Sequence, residues 1–392
     1  MEQYAYYSIL IFSGFIFFLY IYLFYEKILS IYQTKQIHKN EKFLIPYLDK
    51  LFLKMEDDYP SFTTILKIRK KIKNKIIRNI VIKRVIYFNS FFTGNIQINL
   101  TKFCEDVYLI KYIIKDLRTN DNNKISLSSK YLGEFRSNLA IPDLLKVLNK
   151  KTPNIQYNAL MALAKIGDNT AFIEGFTKIN NNIVINERSL IEIIDTFEGD
   201  KISLYNTILR SENSFVLSIF IKSYGNNMDV LLNDYLSGFI KNGTVSTKIA
   251  AIKVVGQTAD INYLEDLIEC LQNEFWEVRA VSAKSLGMLE DGRALPALIK
   301  SLSDKEWWVR YNSAVAILKI PTAINEITEV FIGDDSFAKD IMLNAMETNG
   351  VFSELYLFEH SIDYNKRYLA ELVNNYIKNL ENEDKKNELE SN

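Results

Sequence analysis

The chain has 392 residues, 48% hydrophobic and 24% charged, with a formal net charge of −1. That is ample apolar material for a continuous core, and six prolines with 14 glycines leave little room for long loops. Two cysteines, Cys104 and Cys270, lie far apart in sequence with no second thiol near either, which suggests neither a disulfide framework nor a Cys-based metal site and suits a reducing cytoplasm.

From Gln3 to Tyr25 there is no charged residue, and these 23 residues as a helix span about 34 Å, enough to cross a hydrocarbon core about 30 Å thick. Tyr4, Tyr6 and Tyr7 stand at one end and Tyr20, Tyr22 and Tyr25 at the other, placing phenolic rings at both interfaces. A cleavable signal peptide needs a basic start, a shorter apolar core and a small-residue cleavage site, none of which is present. Lys27, Lys35, Lys39 and Lys42 follow the segment while only Glu2 precedes it, so the lysine excess predicts a cytoplasmic body.

Next comes a basic stretch. Lys67, Arg69, Lys70, Lys71, Lys73, Lys75, Arg78, Lys83 and Arg84 occur with no intervening acid, while Ile65, Ile68, Ile72, Ile76 and Ile80 fall on one helical face. This predicts one basic amphipathic helix. With nine cations here and −1 overall, the remainder of the chain carries −10, so the molecule is polarised, basic beside the membrane and acidic beyond. Anionic headgroups, already within reach, are favoured over nucleic acid as its partner, since each cation near an anionic surface contributes about 1 kcal/mol. Packing of the isoleucine face on the first repeats is the alternative.

The second half is periodic. Val216, Thr247, Val278 and Val309 are each 31 residues apart, as are Gly225, Gly256 and Gly287. A period in this range means stacked helical units, none of which buries its apolar face alone. Trp276-Glu277-Val278-Arg279 opens a first helix that ends at Asp291-Gly292, and the proline-led run from Ala294 to Leu302 supplies the second. Trp307-Trp308-Val309-Arg310 repeats the opening. Weaker copies lie upstream at Ile155 to Asp168 and Ile141 to Leu148; Phe337 to Asn349 and Tyr364 to Leu380 read as degenerate terminal units.

These residues resemble the HEAT repeat, specifically the short form shared with phycobilisome lyases, over roughly Lys124 to Leu380 and most strongly from Val245 to Ile320. The resemblance implies a structural role for the Val-Arg pair and for the Asp that closes the first helix, with the arginine bonding neighbouring-repeat loops; here that falls on Arg279, Arg310, Asp291 and Asp304. Some HEAT-like proteins are di-iron hydroxylases built on repeated His-Glu pairs. This chain has two histidines, His38 and His360, and its one adjacent pair, Glu359-His360, is reversed and unrepeated. No phosphate-binding glycine loop, dinucleotide fingerprint or nucleophile elbow occurs either. No enzyme activity, metal or cofactor is expected.

The remaining candidates are surfaces. All three tryptophans, Trp276, Trp307 and Trp308, cluster beside Arg279, Arg310 and Tyr311 at the starts of neighbouring first helices, and these residue types are enriched in interface hot spots. The bland alternative has the indoles plugging seams between repeats. Adjacent helical positions point about 100° apart, so Trp308 is the expected exposed ring and Trp307, matching Trp276, the stacked one. The lipid-facing candidates are Lys67, Arg69, Lys70, Lys71, Lys73, Lys75 and Arg78.

The sequence thus predicts an all-α chain: a transmembrane helix over 1–25, a juxtamembrane helical region over 26–90, a right-handed α-solenoid of HEAT-like helix pairs over 91–378, and a disordered acidic tail over 379–392. The function it points to is a membrane-anchored scaffold that binds another, membrane-associated protein on its cytoplasmic surface. An accessory subunit of envelope or polysaccharide machinery fits this layout. A non-catalytic lipid or polyanion sensor acting through the basic helix is the second reading.

Overall fold

A computed structural model describes residues 2–179, 184–227 and 233–390. All regular structure among them is helical, and the chain divides into two compact units, Met1–Ile185 with Thr196–Gly199 and Asn186–Asp195 with Asp200–Asn392.

The first unit begins with α1 (Glu2–Leu53), followed by α2 (Phe62–Lys71), α3 (Lys75–Phe91), α4 (Asn95–Asp106), α5 (Leu109–Leu117), α6 (Asn122–Phe135), α7 (Ile141–Val147), α8 (Pro153–Ile166) and α9 (Asn169–Ile179). The 52 residues of α1 span about 78 Å. Its first part is long and apolar enough to cross a membrane, and none of its most apolar stretch is buried by the protein. The sequence ends this segment at Tyr25, but exposed apolar side chains continue through Ile28, Ile31 and Tyr32. The side chains of Tyr4 and Tyr6 lie outside the described ones. The far end of α1 is the opposite in character. Leu48 and Phe52 are fully buried, and the Phe52 ring meets Phe88 of α3 and Phe103 of α4, each at 5.3 Å between centroids. No structural break therefore falls at residue 90, because the end of α1 and α3 share one core with α4 to α6.

The single basic amphipathic helix expected over Lys67 to Arg84 is two helices. Asn74 accepts hydrogen bonds from the backbone N–H of Ile76 (2.8 Å) and Ile77 (3.4 Å), so its side chain starts α3 afresh. Ile65, Ile68, Ile72 and Ile80 still share a side, but that side is buried in the unit's core.

The second unit holds α10 (Glu187–Asp195), α11 (Lys201–Ile208), α12 (Ser214–Asn227), α13 (Asn233–Asn242), α14 (Val245–Thr258), α15 (Leu264–Cys270), α16 (Trp276–Leu289), α17 (Leu295–Lys300), α18 (Trp307–Lys319), α19 (Ile324–Ile332), α20 (Ser336–Thr348), α21 (Phe352–Glu359) and α22 (Tyr364–Glu390). First helices stack in succession, α12 on α14, α14 on α16, α16 on α18 and α18 on α20. The residues that mark the 31-residue period, Val216, Thr247, Val278 and Val309, are all buried, which is why the period survives in the sequence.

Glycine sets the closeness of this stacking. A Cβ on Gly287 would stand 2.7 Å from Ala316 Cα, and one on Gly256 would stand 3.1 Å from Ser285 Cα, so neither helix pair could approach as it does with a side chain there. Gly133 meets Ala162 at 2.6 Å in the same way in the first unit. First helices also end alike. Arg136, Gly167, Ala259 and Glu290 take the left-handed conformation, and each is followed by Ser137, Asp168, Asp260 or Asp291. Those side chains accept from the backbone N–H of Leu139, Ala171, Asn262 and Arg293, turning the chain into the next helix.

The acidic end departs from expectation. Rather than stopping at residue 378, α22 runs on to Glu390, because residues 379–390 are rich in Glu, Lys and Leu and lack proline and β-branched residues, a composition with adequate helix propensity. Residues 391 and 392 of the expected tail lie outside the described residues.

Candidate protein-binding and lipid-facing surfaces

In the second unit the three indoles stand at the N-terminal ends of α16 and α18. Trp276, Trp307 and Trp308 are 36%, 43% and 55% exposed, so none is sealed inside a seam. Trp307 stacks on Tyr311 (4.9 Å, 8° between planes) and meets Trp308 edge-on at 4.7 Å. Tyr311 in turn shares a hydrogen bond with Thr348 of α20 (3.0 Å). Exposed Phe275 and Phe337 at the starts of α16 and α20 extend the ridge. In sequence the rings are flanked by charges of both signs, Glu274, Glu277, Glu306 and Asp334 with Lys305, Arg310 and Lys339.

Behind the rings, the arginines hold loops together. Arg279 is buried and grips Asp304 with two bonds (Nε–Oδ2 2.7 Å, Nη2–Oδ1 2.8 Å), while its Nη1 donates to the carbonyl oxygens of Asn273 and Glu274. Burial alone would raise the Asp304 carboxyl, but the Arg279 bonds and the bond from Glu306 N bring it below its ordinary value. Arg310 repeats half of this pattern, donating from Nη1 to Asp304 O (2.8 Å) and Lys305 O (3.2 Å). Asp335, 31 residues after Asp304, accepts instead from Ser303 Oγ and Ala338 N, bonds that hold its carboxyl low. A third copy was missed in the sequence: Arg367 donates to Ser361 O and Ile362 O at the same spacing. Lys366 stands before it where the repeat has valine, which hid it. Asp291 makes no part of these clamps and bonds to Arg293 instead.

The first unit separates the basic residues into two groups. Arg69 donates to Asp106 O and lies over the Tyr108 ring, Arg78 donates to Ile72 O and lies over Tyr112, and Arg84 pairs with Asp49. These three hold the core together. Lys67, Lys70, Lys71, Lys73, Lys75 and Lys83 are exposed, and among the described residues none of them forms an ion pair. Beside Lys75 and Lys83 lies a cavity of about 780 Å³ whose walls come from α1, α3, α5 and α6.

Both thiols are buried, and burial pushes Cys104 and Cys270 upward, which makes neither a ready nucleophile.

Residues 236–330 match the family model of HEAT repeats. That segment holds α14 to α18 and contains the aromatic ridge's three tryptophans and both Val-Arg pairs. No curated protein matches the sequence. Among solved structures, human deoxyhypusine hydroxylase aligns at 18% identity over 63% of this chain and 99% of its own, with a TM-score of 0.29. The complex of CpcE and CpcF of phycocyanin lyase from a Nostoc species aligns at 15% identity over 68% and 94%, with a TM-score of 0.27. Importin beta aligns at 9% identity over 76% and 48%, with a TM-score of 0.33. Residues 236–330 thus carry HEAT repeats, within a chain whose regular structure is all helical among the described residues.

Proposed function

We propose that this chain is a non-catalytic scaffold, anchored in the cell membrane by the apolar part of α1 with its body in the cytoplasm, that docks a membrane-associated protein on the aromatic ridge of its second unit. The observation that carries the reading is the ridge itself: three partly exposed indoles and two phenylalanines on successive helix starts, backed by a rigid arginine clamp. Stacked helical repeats present extended surfaces of this kind, and exposed tryptophan beside tyrosine is costly to leave in water unless it is covered in use. An accessory role in an envelope or polysaccharide assembly is consistent with the anchor and the ridge together.

The test is a paired melt and pull-down. Trp308→Ala should leave the melting temperature within a degree or two, since exposed positions cost within about 0.5 kcal/mol, and should weaken partner capture by at least tenfold, the scale of a lost hot spot of about 2 kcal/mol. Trp307→Ala should cost about 1 kcal/mol through the Tyr311 stack. A Trp308→Ala chain that retains every protein crosslinked to the native form in the membrane ends the proposal.

A second reading, a lipid or polyanion sensor, is favoured by the exposed lysines of the first unit. The amphipathic-helix mechanism first suggested by the sequence does not serve it, because the isoleucine face is occupied by the core.

A further inference from the structure

Three lysines share one face of the second unit. Lys222, Lys253 and Lys284 are each 31 residues apart, so they take the same register on α12, α14 and α16, which stack in succession. Ser285 Oγ donates to Ile252 O at 3.0 Å, and these two residues adjoin Lys284 and Lys253, so both lysine stems leave helices that are joined at that level. Lys222 is paired with Glu187 of α10 at 2.8 Å. Lys253 and Lys284 are exposed, and among the described residues neither forms an ion pair.

The column holds charge that its surroundings do not balance. Partial burial, followed by the charges of Lys222 and Lys284, holds the Lys253 ammonium below its ordinary value, and Glu187 offsets only part of this. Half-exposed Val281 and Met288 lie one turn to either side of Lys284, so the cations rise from an apolar floor. An anion laid along the column gains charge-assisted bonds from both free lysines and relieves their mutual repulsion. On α18 the same register falls on half-exposed Val315, with Tyr311 one turn and Trp308 two turns, about 10 Å, toward the helix start. The cationic column therefore runs to the foot of the aromatic ridge.

Spacing selects the kind of anion. Packed helices lie about 8 to 10 Å apart, and the close seam at Gly256, where a Cβ would stand 3.1 Å from Ser285 Cα, holds α14 and α16 within that range. An extended chain of the polyproline type has three residues per turn and a rise of about 3.1 Å, so every third side chain returns to one face after about 9 Å. We propose that the column binds an acidic segment of the partner protein in this extended form, with one carboxylate on Lys253, a second three residues on at Lys284, and an apolar side chain three residues further on Val315 below Trp308. This rests on the scaffold reading and deepens it, giving the partner's segment a charge, a spacing and a direction across the stack.

The experiment is fluorescence anisotropy of the full chain in detergent with the labelled peptide Glu-Pro-Pro-Glu-Pro-Pro-Leu, which holds the extended form by itself. It should bind saturably, and the same residues with the two glutamates adjacent should bind several-fold more weakly. No saturable binding overturns the site, and equal binding of the two peptides overturns the register. Lys253→Glu with Lys284→Glu should lower the affinity by about tenfold or more, whereas Lys300→Glu with Lys378→Glu, exposed on α17 and α22, should leave it unchanged. Thermal melts check folding, and Lys253→Met, which removes the crowded charge, should melt no earlier than the native chain while binding the peptide less tightly. An RNA oligonucleotide of equal charge that binds as tightly, or a helical peptide with its glutamates seven residues apart that binds more tightly, overturns the extended acidic segment. Self-association of the full chain that the double variant abolishes assigns the column to a second copy and overturns the partner. Crosslinking in the native membrane separates this inference from the ridge. A lysine double variant that keeps every partner lost by Trp308→Ala overturns the column and leaves the ridge standing; the converse result removes the ridge and leaves the column.

Discussion

At the scale of single residues, the clamp between Arg279 and Asp304 is where chemistry and repeat meet. Both partners are nearly sealed from water, so removing one leaves the other buried and unpaired. Asp304→Asn or Arg279→Met should each destabilise the second unit by about 3 to 5 kcal/mol, read by urea unfolding. Asp304 also sets a pH signature. Its folded pKa lies below the unfolded value of about 3.9, so its contribution is fully present above that value and is lost as pH falls through the lower, folded one. Acid titration of the native chain should show a loss of stability in that window that the Asp304→Asn chain lacks. This clamp was legible in the sequence because Val278-Arg279 and Val309-Arg310 repeat with a buried valine as the marker. Arg367 was not, since the same bonds form without the valine. Nor could the sequence tell that Arg69, Arg78 and Arg84 would be spent on carbonyl groups, rings and Asp49 while the lysines between them stay in water.

At the scale of helices, the small residues decide how near two first helices come. Gly287→Ala places a methyl group against Ala316 of α18, and forcing extra volume into a packed seam costs about 1 to 3 kcal/mol. The variant should melt early, and Ala316→Gly in the same chain should restore part of the loss. An unchanged melt would mean that the stack is looser than its geometry shows. The helix boundaries of the periodic part were readable because apolar spacing, the proline start of α17 and the Asp caps agree with one another. The break between α2 and α3 was not, since an uninterrupted isoleucine period outweighed one asparagine, and only the packing of α2 against α4 calls for the turn that Asn74 caps. The continuation of α22 was missed for the opposite reason, a lack of apolar residues being read as a lack of structure.

At the scale of the whole molecule, the chain is polarised in both hydropathy and charge. The full-length protein should resist carbonate and high-salt extraction, whereas a chain beginning at Asn40 keeps the buried Leu48 and Phe52 and should move to the soluble fraction, as fractionation and immunoblotting will read. Recovery of the full-length protein in the carbonate supernatant would rule out the anchor. Composition alone made the apolar segment plain, but it gave no hint that the helix continues without interruption into the core of the first unit.

That continuity has a mechanical consequence. An anchor joined through a flexible tether lets its cargo swivel, whereas α1, if it is the proposed anchor, would deliver the first unit at a set height and azimuth, as a keyed shaft does. Each residue added between Tyr32 and Leu48 would lift that unit by about 1.5 Å and turn it by about 100°, so with α1 as the anchor the length of this stretch would itself be a positional code, setting which side of the first unit faces a neighbour in the plane of the bilayer.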